Sequence, residues 1–417
     1  MNDDPDCHSK PRLHRLRSLE QWRKNQIAVT VSASFVFFGF TLVMPFLPLY
    51  VRQLGVRDTG VIAFWTGLIL SVSPAMVALS GPIWGRAGDR VGLKAMAVRA
   101  TAVNCLCWFM MAFAANVWHL LLLRALLGLL GGFNSVSIAA ITQLSPRDKM
   151  ARVIGTLQAT QILGAAVGPV VGGILAGYIG IQNTFFATAV LMFGSFLSIM
   201  LLYRDSERKP SAKTGESPGP ALDRSFLKHP EYLMPLVILF VVHMTHRTYA
   251  PIIPLFLEQL GTPAARLAAV AGAMFSMAAF GEALSSWLSG RLASRIPIER
   301  LILVRLSLGL AVLIPIALVG SSSMFFILRV TLALLAGGIL TLAFTSAGHV
   351  IPPEHRGTGF SILSSVSMLG GSAGPIIAGA LTALSIRAVF VFNIVVYVLL
   401  IAFLGTRITR VTRIDAD

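Results

Sequence analysis

Charge is what this sequence has least of. Only 12% of its 417 residues are Asp, Glu, Lys or Arg, and only 18 are acidic. A soluble domain carries about twice that charged share, so a water-facing surface over most of the chain is excluded. Cysteine is scarcer still. Cys7, Cys105 and Cys107 are too few and too awkwardly spaced for a disulfide framework. No G-x-x-x-x-G-K-[ST] run occurs, which excludes a P-loop nucleotide as the energy source. No carboxylate pair, metal-ligand cluster or nucleophile–base set stands out, so an enzyme is disfavoured and neither cofactor nor metal is expected.

Apolar sequence is abundant in their place, at 55% of residues and a mean hydropathy of +0.76. Apolar stretches near the ~20 residues needed to cross a bilayer recur along almost the whole length. They lie at 27–50, 60–84, 95–115, 118–143, 153–177, 184–203, 233–257, 264–289, 301–320, 324–349, 358–383 and 386–406. This pattern predicts an all-α integral membrane protein with twelve transmembrane helices. Most stretches are interrupted by Gly, Pro, Ser or Thr, which helix bundles in membranes tolerate because neighbours cover the freed backbone groups. The first apolar run follows a basic tail and is too long for a cleaved signal, so it is expected to remain as the first span.

The net charge of +16 invites a nucleic-acid reading, and its placement argues against one. With both termini cytoplasmic, most Lys and Arg fall in the N-terminal tail, the 2–3, 4–5, central, 8–9 and 10–11 loops, and the C-terminal tail. Arg52, Arg57, Arg266 and Arg387 fall outside, and Arg124, Arg247 and Arg329 lie inside spans. That is the positive-inside pattern of a multi-pass protein of the bacterial inner membrane. The tail cations (Lys10, Arg12, Arg15, Arg17, Arg23, Lys24) orient the first span and can also meet anionic lipid.

An internal repeat organises the chain. Residues 45–55 read PFLPLYVRQLG and residues 251–261 read PIIPLFLEQLG, an offset of 206. Val98-Arg99 recurs as Val304-Arg305, Leu123-Arg124 as Leu328-Arg329, and GAAVGP at 164–169 as GGSAGP at 370–375. The expected organisation is a basic tail (1–25), a six-helix bundle (26–203), a Pro/Gly/Ser-rich cytoplasmic linker (204–232), a second six-helix bundle (233–406) and a short tail (407–417). Two parallel repeats of even span number share one orientation. They place a substrate site between the halves near the midplane, the arrangement that supports rocking alternating access.

Several short motifs carry a resemblance. The 2–3 loop contains Gly85, Asp89, Arg90, Gly92 and Lys94 in the run GRAGDRVGLK, which resembles the G-x-L-x-D-R-x-G-R-K signature of the major facilitator superfamily. Ala87 and Leu93 depart from it, and the second copy, from Gly290, has Ser294 where the first has Asp89. Gly164, Gly168, Pro169, Gly172 and Gly173 fit G-x-x-x-G-P-x-x-G-G, similar to the antiporter motif of that superfamily's twelve-helix drug:proton antiporters. Arg124-Ala-Leu-Leu-Gly128 resembles the R-x-x-x-G element of the same family. LVMPFLPLY at 42–50 and RALLGLLGGF at 124–133 look like bacterial multidrug exporters linked to fosfomycin and bile-salt resistance. The resemblance implies the major facilitator fold, a conformational latch at 85–94, export by antiport, and a part for Arg124 in proton coupling. A structural pairing of Arg124 and ordinary small-residue packing of the glycines fit the same residues.

Of the acidic residues only Glu282 falls well inside a span, about 12 Å along its helix from the turn at Gly290. A buried carboxyl is costly as an anion, which suits it to carry a proton; a static ion pair with a buried Arg is the alternative. His243, His246 and Arg247 cluster before Pro251. Arg247 is a candidate partner for Glu282 or for an anionic substrate group, and the histidines are candidate coupling or packing residues. Glu282, Arg124 and Arg247 are thus the expected proton-coupling residues, and Phe38, Gln161, His243, His246 and Arg247 the expected cavity lining. Phe35, Phe37, Phe40, Trp65, Met274, Met277, Asn134, Gln158 and Asn393 are further candidates.

The expected function is proton-coupled export of small amphiphilic molecules, with small-molecule substrate, protons and lipid as partners, and a monomer. Export of one endogenous metabolite such as a siderophore, import of an anionic nutrient, and a non-transporting sensor remain as alternatives.

Overall fold

The computed structural model describes residues 10–144, 150–204, 230–351 and 356–414. Among them the regular elements are helical. They run α1 (Lys10–Val43), a 3-10 turn (Met44–Phe46), α2 (Leu47–Gln53), α3 (Thr59–Val91), α4 (Leu93–Met111), α5 (Val117–Leu130), α6 (Phe133–Leu144), α7 (Met150–Ile179) and α8 (Ile181–Leu202). The second half repeats this as α9 (Pro230–Arg247), α10 (Ile253–Gln259), α11 (Ala264–Leu292), α12 (Ile298–Leu318), α13 (Ser322–Ala336), α14 (Ile339–Val350), α15 (Arg356–Thr382) and α16 (Ile386–Ile414).

The sixteen helices make twelve passes in two pseudo-symmetric sets of six, and the same two passes, the first and the fourth, are broken in each set. The first pass breaks at Pro45 and the seventh around Pro251, because proline supplies no N–H to the helix ladder. The fourth breaks at Gly131-Gly132 and the tenth at Gly337-Gly338. Caps repeat too. Asn116 accepts from the His119 backbone N–H, and Ser321 accepts from that of Met324. Nine stretches among the described residues are long and apolar enough to cross a membrane by themselves, the broken first and tenth passes included.

Three boundaries differ from the sequence reading. α1 already begins at Lys10, inside the expected tail, where Leu, Arg, Glu and Gln are good helix formers. α16 likewise runs on to Ile414. α3 continues to Val91, so most of the expected 2–3 loop is helix. The turn is confined to Gly92, whose φ of 100° is open to glycine and strained for other residues. Arg90 and Lys94 flank that turn and make contacts of their own. The side chains of Asp89 and Asn134 lie outside what is described, as do the surroundings of Gly85 and the segment 205–229 in the expected linker.

Arg99 and Arg305, counted with the cytoplasmic cations by sequence, lie inside α4 and α12. Each bonds a carbonyl at or near the break of its half: Arg99 donates to Gly131 O at 3.0 Å, and Arg305 to Leu335 O at 3.1 Å. Arg305 also donates to the Ser285 hydroxyl at 2.6 Å. A broken helix inside a bundle leaves carbonyls that need donors, and these arginines supply them.

Candidate functional site: the central cavity

The glycine motif of α7 packs this helix onto α1 of its own half on one side and onto α11 of the second half on the other. A Cβ on Gly164, Gly168 or Gly172 would run into the backbone or Thr41 side chain of α1, so the stripe lets two helices meet closely. The Thr41 hydroxyl donates to Gly164 O at 2.8 Å across that seam. Gly173 faces the other way, onto Ala268 and Ala269 of α11, and the Pro169 carbonyl abuts Gly272. In the second half Gly370 and Gly374 seat on Phe240 and Met244 of α9, while the Pro375 carbonyl abuts Gly67 of α3. The motif thus works twice, once at each inter-half seam. One bond breaks the symmetry: the Val170 N–H donates to the Ser276 hydroxyl at 3.0 Å, and the residue at the repeat-equivalent position is Leu70.

Between these seams lies a cavity of about 280 Å³, lined from both halves. The first half contributes Phe40, Thr41, Met44, Leu70, Ala165 and Pro169, largely apolar. The second half contributes the polar wall: His243, His246, Arg247, Tyr249, Glu282 and Arg329. Breaks near Pro45 and Pro251 turn α1 and α9 at cavity level, which aims Met44 and Tyr249 inward.

Glu282 is the carboxylate of this lining. His246 Nε2 stands 2.5 Å from its Oε1, and Arg329 Nη2 lies 3.8 Å from the same oxygen. The Arg329 side chain is 4% exposed and stacks on the Tyr249 ring at 4.5 Å, which helps a desolvated cation stay in place. Arg247 turns elsewhere. Its Nε–H donates to His243 Nε2 at 3.2 Å, which leaves His243 Nδ1 as the N–H that donates to Ser367 Oγ at 2.8 Å. An imidazole that accepts on one nitrogen and donates on the other is neutral.

These placements sort the sequence candidates. His243, His246, Arg247 and Glu282 come together as expected, but the near partners of Glu282 are His246 and Arg329 rather than Arg247. Phe38 lines an outer groove with Leu42, Val171 and Leu175; Phe40, two positions on, lines the cavity. Gln161 is not among the residues that line the cavity. Met274 is fully buried, Met277 is exposed, and Phe275 between them faces the cavity. Asn393 is buried behind the wall and donates to Thr248 Oγ1 at 2.9 Å. Arg124 does not reach the cavity. It sits behind Phe40 and Met44, stacked on Trp108 at 4.8 Å and Phe40 at 5.4 Å, its guanidinium 3.9 Å from the Met44 sulfur. Among the described residues no carboxylate pairs with it.

One contact between the halves escaped the sequence reading. Arg52, near the end of α2, and Glu258, near the end of α10, form a bidentate pair with both N–O distances at 2.6 Å. They are 206 positions apart, the repeat offset. Repeat-equivalent residues beside a pseudo-two-fold axis face each other, so an unaltered copy would oppose like charges there. Opposite charge at that offset was a signal already present in VRQLG and LEQLG.

Comparison with known proteins follows the same lines. A model of the family described as Major Facilitator Superfamily matches residues 29–324 and 310–415. A "Multidrug resistance protein MdtG" of Klebsiella pneumoniae (strain 342) is 33% identical over 371 residues, covering 88% of this chain and 90% of that protein. The MdtG of Enterobacter lignolyticus (strain SCF1) is 32% identical over 391 residues, 93% of each. Among solved structures, a bacterial homologue of the human lysosomal transporter Spinster, inward-facing and occupied, superposes with a TM-score of 0.74 at 19% identity, covering 91% of this chain and 95% of that one. The nucleoside transporter NupG gives 0.75 at 12%, covering 91% and 98%. At those identities the two structures speak for the fold alone.

Proposed function

This chain belongs to the Major Facilitator Superfamily, and from that premise we propose that it exports small amphiphilic molecules from the cytoplasm by proton antiport. The MdtG proteins, at a third identity over nearly the whole length, support multidrug efflux as the physiological task. The observation that carries the coupling is Glu282, a carboxylate on the cavity wall between His246 at 2.5 Å and Arg329 at 3.8 Å.

Ionised, Glu282 accepts from His246 and balances Arg329. Protonated, it releases both, and the polar wall gains positive charge beside the apolar wall of the first half. Substrate and proton therefore act on the same few groups, which is what exchange requires. The apolar lining, with Phe40, Met44 and Phe275, suits amphiphiles that re-pack rather than one rigid ligand. The Arg52–Glu258 pair closes the end of the bundle that is periplasmic when both termini are cytoplasmic. The Gly92 turn and the α7–α11 seam are the parts that must slide or separate during rocking. One proton moving down 100 mV supplies about 2.3 kcal/mol, enough for roughly fifty-fold concentration of a neutral substrate.

The test is drug efflux by energised inverted vesicles while lumenal pH is followed, wild type against Glu282→Gln. Dissipation of the gradient on substrate addition in wild type and not in the variant supports the reading. Substrate movement with an untouched gradient in both would sink proton antiport.

A further inference from the structure

Glu282 faces two cavities. Behind the central one lies a smaller pocket of about 40 Å³, packed among α9, α11, α13, α14 and α16. Its polar lining is Thr245, His246, Tyr249, Glu282, Arg329 and Tyr397. His246, Tyr249, Glu282 and Arg329 line both cavities, so these four side chains are the partition between them. A water needs about 10–15 Å³ and two to four polar partners. The pocket exceeds that volume and offers carboxylate, hydroxyl and guanidinium groups within one small space. Arg329 brings a second sign: its Nε is buried and, among the described residues, has no hydrogen-bond partner. A buried N–H in that position is satisfied by an oxygen that the protein does not itself supply.

We propose that this pocket is a water site, and that its water is the group to which Glu282 gives its proton, so that proton and substrate use opposite faces of one carboxyl. The inference rests on Glu282 being the proton carrier. The carboxyl O–H breaks as a new O–H forms on the water. The water passes one of its own protons on to solvent water, and the carboxylate returns to His246 and Arg329. Tyr397 and Thr245, both in the pocket lining, position the water from the far wall. With substrate filling the central cavity, Glu282 keeps a solvent contact and can still discharge.

Two measurements on the full-length protein in nanodiscs and proteoliposomes decide it. The first is radiolytic hydroxyl labelling, which marks buried aromatics that touch ordered water. Tyr397 is expected to label well above Tyr232, which is 0% exposed. Labelling at Tyr397 no higher than at Tyr232 overturns the proposal whether or not Glu282 carries the proton. The second compares coupled proton release in Val242→Met, which fills the pocket, and Thr245→Val, which removes a hydroxyl at constant shape. Both are expected to lose about tenfold in proton release while still binding substrate. A labelled Tyr397 with full-rate proton release in both variants makes the water structural only and overturns the relay. Failure of Glu282→Gln to uncouple transport, by contrast, strikes the proposed function and leaves the labelling result standing.

Discussion

The Arg52–Glu258 pair gives the sharpest quantitative expectation. The perturbation is charge reversal, Arg52→Glu, and then the swap Arg52→Glu/Glu258→Arg. The two side chains are 34% and 40% exposed, so water screens the pair and its attraction is discounted to about 1 kcal/mol despite bidentate geometry. Reversal removes that and opposes two carboxylates. Like charges about 4 Å apart repel by ~1 kcal/mol in bulk water and ~4 at a surface-like dielectric, and partial exposure favours the lower figure. The closed end should thus lose about 2–3 kcal/mol, a factor of roughly 30–150 in the closed-to-open ratio. Glu258→Arg should do the same, and the swap should restore the ratio to within about 0.5 kcal/mol of wild type. Spin labels at the exposed Gln53 and Gln259, with Cys7, Cys105 and Cys107 replaced by Ser, report the distance across this mouth by double electron–electron resonance. Single reversals should populate the longer distance, and 1 M salt should move wild type the same way by less, since the Debye length is then about 3 Å. Unchanged distances in both single variants, or a swap as open as either of them, would refute the reasoning.

Three further outcomes are expected. Gly172→Val should be the most damaging change in the α7 stripe, because even a Cβ there overlaps the Leu42 carbonyl; a loss of about 3 kcal/mol or failure to fold should appear in detergent melting, and a wild-type melting temperature would contradict the seam. Ser276→Ala removes the hydrogen bond from Val170 across one seam and should cost about 1 kcal/mol, seen as a melting shift of about 1 °C that Ser276→Thr largely spares. Arg329→Met should slow coupled transport at least as much as Arg247→Met, since Arg329 stands 3.8 Å from Glu282 while Arg247 bonds His243. A transport-competent Arg329→Met beside an inactive Arg247→Met would reverse the assigned roles.

Much of the architecture was readable from composition and periodicity because the bilayer is a harsh solvent. It demands long apolar helices and tolerates few charges, so spans, repeat and the lone mid-span carboxylate at Glu282 stand out in one dimension. His243, His246 and Arg247 were legible for the same reason. Within a span, however, helical phase decides which residue faces the cavity, and apolar residues on every side of a helix hide that phase. Of the candidates Phe38 and Phe40, only Phe40 lines the central cavity, and Phe275 lines it where Met274 and Met277 do not.

The sequence by itself determined the class of molecule, its twofold repeat and the small set of polar groups inside it, since each has a cost in lipid that only function or pairing offsets. Tertiary structure alone decided the partners. Arg329 rather than Arg247 stands by Glu282, Arg124 is walled off behind Phe40 and Met44, and Arg52 meets Glu258 across the halves. Those contacts join residues tens to hundreds of positions apart, and their geometry is set by where proline and glycine break the helices and how closely the glycine stripes let them pack. Local sequence states that such a break or stripe exists; only the packed bundle states what it brings together.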